Sequence, residues 1–222
     1  MRARVPLLVG AFAWLTLRTR AINWGAIPED ITRPLPGDEL IPDSPRNSTM
    51  VITIRARAAE VWPWLAQMGY GRAGWYSYDR LDNAGEPSAE EINPAWQELA
   101  VGDRIPSSQR SWFVVVACEP GRHLVLRGGF DFLLKTSYDT GDGLPALGTD
   151  GTWALVLEER SDGTTRLIAR VRGRGKPGWL FRAVGPFLTD PGHVLMQRKQ
   201  LYGIKRRAEA AAGAGRSGTS AG

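Results

Sequence analysis

The feature that most constrains the fold is a series of short, β-branched segments with alternating polarity between residues 48 and 173. The turn dipeptides Pro120-Gly121 and Asp162-Gly163 interrupt this series, and such dipeptides are typical of tight connections between antiparallel strands. We predict strands over 48–56, 101–107, 111–128 (two strands), 129–137 and 152–173 (two strands). The pattern therefore predicts an antiparallel sheet and not a series of βαβ units.

Helical segments follow the first strand and the last strand of the series. The first covers residues 57–68 and is short or kinked, because Pro63 removes a backbone hydrogen bond. The last is a long amphipathic helix from about Asp190 to Ala212. Its apolar stripe consists of Val194, Leu201, Ile204 and Ala208. We therefore predict an α+β fold with a curved antiparallel β-sheet wrapped around a long C-terminal α-helix, an arrangement that often leaves a cavity between them.

The chain divides into three parts: residues 1–47, a compact domain over 48–212, and a disordered tail over 213–222. The first part holds an apolar run at 5–17 and a proline-rich arm that we expect to lie over the domain. The run is shorter than the ~20 residues that span a bilayer. We expect an uncleaved, cytoplasmic chain, and the alternative is a peripheral membrane contact through residues 5–17.

Composition excludes several classes of site. Cys118 is the single cysteine, so no internal disulfide can form, and two histidines with one cysteine make no ordinary zinc site. We expect neither a metal nor a cofactor. Residues 164–207 hold eleven Arg or Lys and one acid, but no nucleic-acid-binding motif, so a nucleic-acid partner is not expected. This basic region is either a solvated face or a docking face for an acidic partner.

Several motifs carry a resemblance to a known family. They are "ITIRARAAEVWPWLAQMG", "LAVGDRI", "CEPGRHLVLRG", the hairpin "GTWALVLEE…TRLIARVR" and the long closing helix. Over about residues 48–212 the chain resembles the START/Bet v 1-like (SRPBCC) superfamily, including its polyketide cyclase/dehydrase and lipid-transport branch. The N-terminal "WGAIPEDITRPLPGDELIP" looks like the leader of a bacterial subgroup. The resemblance implies a helix-grip fold with room for a hydrophobic ligand, and it does not choose among carriers, cyclases and receptors.

Aromatic and polar residues supply the candidate ligand-binding side chains. The stretch "GWYSYDRLDN" (74–83) follows the first helix, and we expect it to form an end wall of the cavity. The candidate ligand-binding residues are Trp75, Tyr76, Tyr78, Asp79, Trp112, Trp153 and His193. The alternative is that the aromatic rings of this stretch simply fill the end of the core.

Two further features carry separate expectations. Cys118 and His123 flank a turn and could face each other as a nucleophile and its base. On the last strand we expect Leu167, Ala169 and Val171 to face the interior and Arg170 to face solvent, because an unpaired buried guanidinium is costly.

Three functions follow as hypotheses. The first is binding of a small hydrophobic or amphipathic ligand, such as a lipid, polyketide or isoprenoid, in an internal cavity. The second is a cyclase or dehydratase in which Tyr76, Tyr78 and His193 move protons or orient the substrate. The third is an interaction protein that docks an acidic partner or a membrane surface. No catalytic residue is assigned from the sequence.

Overall fold

The computed structural model describes residue 14 and residues 16–219, with side chains through residue 214. Residues 16–22 are helical. The elements that follow are α1 Pro28–Thr32, β1 Arg46–Ile54, α2 Ala58–Ala66, α3 Asp79–Asp82, β2 Arg104–Ser108, β3 Ser111–Glu119, β4 His123–Asp131, β5 Thr136–Tyr138, β6 Gly148–Glu159, β7 Thr165–Lys176, α4 Gly178–Val184 and α5 Thr189–Thr219.

The strands form one antiparallel sheet in the order β1-β7-β6-β4-β3-β2, with β5 paired to β4. The sheet is curved and does not close on itself, and α5 packs its buried side chains into one cluster with those of β6 and β7. The predicted α+β helix-grip fold is thus confirmed. The helix continues to Thr219, beyond the expected end near Ala212.

The strand predicted over 129–137 is wrong in its boundaries. β4 continues to Asp131, the chain then turns, and β5 begins at Thr136. The cause is local, because the Asp131 carboxylate accepts the backbone N–H groups of Leu133 and Leu134 at 2.8 and 3.0 Å. An aspartate that binds the backbone two and three residues ahead favours a turn over continued strand pairing.

The core lies between the inner face of the sheet, α2 and α5. On α5, Leu201, Ile204 and Ala208 of the predicted stripe are fully buried, and Val194 is partly buried against the same core. On β7, Leu167 and Ala169 are buried in the same cluster. The expected inward orientation of these apolar side chains is confirmed.

The outer face of the sheet is covered by the proline-rich arm, and here the expectation for Arg170 is wrong. Arg170 is 2% exposed. Its guanidinium contacts the Asp38 carboxylate at 2.5 Å and donates to the carbonyl oxygens of Arg33 and Asp30 and to Thr49 Oγ1. The side chain does point away from the core, but the arm replaces solvent there and supplies a counter-charge and main-chain acceptors.

The apolar run at 5–17 lies mostly outside the described residues, so a peripheral membrane contact through it stays a prediction. Within the part of the chain that the structure describes, no helix is long and apolar enough to cross a bilayer.

We predict that Asp38→Ala lowers the free energy of unfolding by about 3 kcal/mol, because it leaves the buried Arg170 guanidinium without its counter-charge. The matched control is Asp43→Ala, which removes an exposed acid of the same arm and should change stability little. Urea denaturation of both variants measures the difference. Equal stabilities would show that the arm does not depend on this ion pair.

Candidate functional site

A cavity of about 810 Å³ lies between the inner face of the sheet, α4 and the N-terminal half of α5. Most of its wall is apolar and comes from Trp75, Phe113, Phe132, Trp153, Phe181 and Met196. Ligand pockets for molecules of drug size occupy about 300–1,000 Å³. The nine tryptophans of the chain therefore do not fill the space under the closing helix.

Glycines leave space in the floor of this cavity. Gly128 of β4, Gly151 of β6 and Gly173 of β7 lie directly opposite one another in three neighbouring strands. Strand alternation places all three on the inner face. Gly173 lies two residues after the inward-facing Val171, and Gly151 lies two residues before the inward-facing Trp153. A Cβ added at Gly173 would make only ordinary contacts, at 3.5 Å and beyond. At Gly128 the Phe113 ring already takes this space, with a ring carbon 2.6 Å from such a Cβ, and at Gly151 the Arg172 carbonyl oxygen would lie 3.1 Å away. The floor is therefore open at Gly173 because a side chain is absent there.

Aromatic rings close the deep end of the cavity. The Trp75 ring lies 5.6 Å from the Trp153 ring and 5.9 Å from the Phe113 ring, measured between centroids. The Trp153 indole N–H is buried and has no hydrogen-bond partner among the described residues. The result is an aromatic wall with one unused donor.

A positively charged corner lies at the other side of the cavity. Arg46 Nε is 3.0 Å from Asp190 Oδ1, and Arg18 Nε donates to Asp190 Oδ2 at 2.8 Å. Two guanidiniums share one carboxylate, so the corner carries an excess positive charge. Burial lowers the pKa of Arg46, and the nearby Arg18 acts in the same direction against the opposing effect of Asp190. An anionic group would relieve this crowding of cations.

His193 extends the corner along α5. Its Nε2 is 3.0 Å from Ser48 Oγ, and that hydroxyl donates its single proton to the Ile22 carbonyl at 2.6 Å. His193 Nε2 must therefore carry the hydrogen of this contact. Burial, together with the charge of Arg46, lowers the pKa of His193 to about 4, so the ring is neutral near pH 7.

Asp82 provides a carboxyl group on the cavity wall. Both carboxyl oxygens are buried without a hydrogen-bond partner of normal geometry in the described chain, and the Ser77 hydroxyl donates to the Met196 carbonyl. Burial, and then the charge of Asp79, raise the pKa of Asp82 to about 6. A carboxyl that titrates near neutrality in a cavity can give or take a proton.

The residues predicted from sequence divide into two groups. Trp75, Trp153 and His193 line the cavity, and their contact with a ligand stays a prediction. The other four have partners elsewhere. The Tyr76 hydroxyl accepts from Gln67 at 2.8 Å, Asp79 accepts from Ser88 at 2.5 Å, Trp112 lies under the Arg104 guanidinium, and Tyr78 is on the surface near Lys199.

Cys118 and His123 do not face each other. Cys118 pairs with Leu124 in the β3–β4 ladder, and His123 pairs with Glu119, so alternation places them on opposite faces. Burial raises the pKa of the Cys118 thiol, which is unfavourable for a thiolate nucleophile.

Sequence reasoning missed the glycine row, Arg46 and Asp82. A signal for the row exists in the sequence, because Gly173 and Gly175 continue the inward series of Leu167, Ala169 and Val171. No comparable signal exists for Arg46 or Asp82, whose neighbours in the cavity come from distant segments.

Within the described residues no group of three or more side chains suited to a metal ion is found.

No protein-family model and no curated protein matches the chain. Solved structures with a similar fold include protein MLL2253 of Mesorhizobium loti, at 14% identity and a TM-score of 0.44, covering 74% of this chain and 98% of that one. The hypothetical protein jhp0584 of Helicobacter pylori has 11% identity and a TM-score of 0.45, with 79% and 95% covered. The Polyketide_cyc-like protein Cgl2372 of Corynebacterium glutamicum has 15% identity and a TM-score of 0.32, with 76% and 91% covered.

We predict that His193 makes stability sensitive to acid. Its folded pKa of about 4 lies below the ordinary 6.5, so its contribution is full above pH 6.5 and is lost as the pH falls toward 4. After allowance for partial exposure, this loss is about 2 kcal/mol. Denaturation of wild type and His193→Gln at pH 7 and about pH 4.5 should show a smaller fall in the variant. Equal falls would contradict the role of His193.

We predict that the charged form of Asp82 lowers the free energy of unfolding. Its folded pKa of about 6 lies above the ordinary 3.8, so the penalty is present above pH 6 and absent below 3.8. Asp82→Asn should raise the free energy of unfolding at pH 8 by about 1 kcal/mol, discounted for partial exposure, and should give no gain near pH 3.8. Asp142→Asn, at an exposed acid, is the control. A variant less stable than wild type at pH 8 would refute a strained carboxyl.

Proposed function

We propose that the chain binds a small amphipathic ligand in the cavity, with an apolar body and an anionic head. The observation that carries the proposal is the cavity of about 810 Å³ with a largely apolar wall and a cationic corner. A lipid, polyketide or isoprenoid acid has this chemistry, and binding in the cytoplasm is part of the proposal.

The ligand's orientation follows from where charge and apolar surface lie. The apolar body would lie over the glycine row and against Trp153 and Trp75, where burial from water is favourable. The head would meet Arg46 and Arg18, whose charges exceed that of Asp190. Neutral His193 lies beside them as an additional polar contact.

A cyclase or dehydratase activity is the second candidate, and Asp82 is the observation that favours it. A carboxyl with a pKa of about 6 on the cavity wall could transfer a proton to or from a carbonyl chain. Tyr76 and Tyr78 offer less to this reaction than the sequence suggested, because neither lines the cavity. In this candidate, Asp82→Asn would abolish turnover while leaving ligand affinity nearly unchanged.

Docking of an acidic protein through the basic face of α5 is not proposed. Arg206 and Arg207 both bind Glu90, and Lys205 binds Glu209. The Arg198 guanidinium lies over the Trp24 ring. Most of these charges already have partners within the chain.

A leucine in the floor should block the cavity. Gly173→Leu projects a side chain into the open row, so the affinity for decanoate should fall at least about tenfold, since a filled site excludes the alkyl chain. The matched control is Thr53→Leu, which adds the same side chain at an exposed position of β1. Calorimetric titration measures both, and native mass spectrometry of the purified wild type shows any ligand that is carried along. Equal decanoate affinity in the two variants would place binding elsewhere.

The cationic corner should distinguish decanoate from decanol. Arg46→Gln keeps the Arg18–Asp190 pair but removes the excess charge, so it should weaken decanoate binding about tenfold and leave decanol unchanged. If wild type binds decanoate and decanol equally, the proposal of an anionic head group is contradicted, although the cavity remains a binding site.

A further inference from the structure

Exposed apolar side chains are concentrated around the opening of the cavity. Three segments supply them: the turn between β4 and β5, the stretch from α4 to the start of α5, and the N-terminal helix. We name them together the mouth patch, which consists of Trp14 (37% exposed), Leu17 (62%), Phe132 (44%), Leu133 (66%), Leu134 (67%), Trp179 (71%), Phe187 (69%) and Leu188 (70%). Soluble monomers rarely leave so many large apolar side chains uncovered in one place.

Ring contacts join the three segments into one surface. The Phe132 and Phe181 rings lie 5.9 Å apart, which connects the β4–β5 turn to α4. The Trp14 and Phe187 rings stack with centroids 5.7 Å and planes 3° apart, which connects the N-terminal helix to the segment between α4 and α5. Phe132 and Phe181 also line the cavity. The mouth patch therefore surrounds the route by which a ligand would enter.

The β4–β5 turn holds its two leucines outward in a fixed conformation. The Asp131 carboxylate accepts the backbone N–H groups of both Leu133 and Leu134. Asp131 is itself buried, so the carboxylate that binds the turn is held in the protein interior. The leucines thus project from a defined turn, and little conformational entropy remains to be lost when they are buried.

Positive charge surrounds the mouth patch. Lys135, Lys176, Arg182 and Arg20 are exposed next to the apolar side chains. No aspartate or glutamate occurs in residues 132–138 or 174–189. Projecting apolar side chains ringed by cations are complementary to a bilayer surface with anionic lipid headgroups.

We propose that the mouth patch docks on an anionic membrane surface, with the leucines and aromatic rings entering the headgroup region and the cavity opening toward the lipid. A second copy of the chain fits the patch less well. A two-fold dimer would place the same surface against itself and bring the cations of both copies together. Trp14 and Leu17 of the N-terminal helix belong to this surface and add to its apolar area.

The test is flotation of the full chain with phosphatidylcholine vesicles, with and without phosphatidylserine. Wild type should bind vesicles that contain phosphatidylserine, and added salt should weaken the binding. The double variant Leu133→Ser, Leu134→Ser should lower the partition coefficient about tenfold. The control is Ile27→Ser with Val101→Ser, which removes exposed apolar side chains that neither line the cavity nor belong to the mouth patch and should bind like wild type.

Trp179→Ser tests a second segment of the mouth patch independently and should also reduce binding. Hydrogen exchange on vesicles should show protection at residues 132–135 and 178–188. Protection that depends on protein concentration without vesicles would identify a second copy of the chain and overturn the proposal. Vesicle binding that these variants leave unchanged would overturn it as well.

This proposal and the cavity proposal can fail separately. The Leu133→Ser, Leu134→Ser variant should bind decanoate in solution with wild-type affinity, because neither side chain is among the residues that line the cavity. Loss of decanoate binding together with vesicle binding would indicate misfolding, which thermal unfolding by circular dichroism detects. The single variant Trp179→Ser then decides the membrane proposal.

Discussion

The cavity depends on a row of missing side chains. Gly128, Gly151 and Gly173 face one another across three strands where an ordinary sheet would present valine or leucine to the helix above. Interiors pack to near-crystalline density, so α5 would otherwise rest on side chains at this point. It is instead supported further along, where Leu201, Ile204 and Ala208 are buried against the core. One half of the helix is packed, and the other half roofs an open space.

Arginine side chains are paired with carboxylates differently on the two faces of the sheet. On the outer face, the arginines of β7 are matched by the arm: Arg166 binds Asp30, and Arg170 binds Asp38. On the inner face, Arg18 and Arg46 compete for the single carboxylate of Asp190. Matched charges hold structure together, whereas an excess of one sign inside a cavity is a feature that a ligand of the opposite sign can complete.

Sequence reasoning succeeded where periodicity carries the signal. The strands, the turn at Asp162-Gly163 and the buried stripe of α5 all follow from local patterns, and these patterns are enough to give the helix-grip fold. The β4–β5 turn was missed, because an apolar "FDFLLK" stretch reads as a strand unless the backbone contacts of Asp131 are known. Arg170 was misplaced for a different reason, since alternation assigns a face but does not say what covers it.

The site was harder to predict because its residues come together only in three dimensions. Trp75, Trp153 and His193 were chosen by residue type alone, and they line the cavity, while their contact with a ligand stays a prediction. Arg46 and Asp82 were not chosen, because their significance lies in what surrounds them. Arg46 shares a carboxylate with Arg18, and the Asp82 carboxyl is buried without a hydrogen-bond partner of normal geometry. Tyr76 was given a ligand role that its position does not support, since its hydroxyl is held by Gln67 behind the cavity wall.

The way in which the arm is held has a consequence for how its sequence can change. Arg170 and Arg172 donate to the carbonyl oxygens of Asp30, Arg33, Ile41 and Pro42, which every amino acid would offer at those places. Main-chain oxygens keep their accepting capacity in acid, and substitution does not remove them. These contacts of Arg170 and Arg172 therefore survive substitution in the arm, even at a position such as Asp30, whose side chain has a separate partner in Arg166.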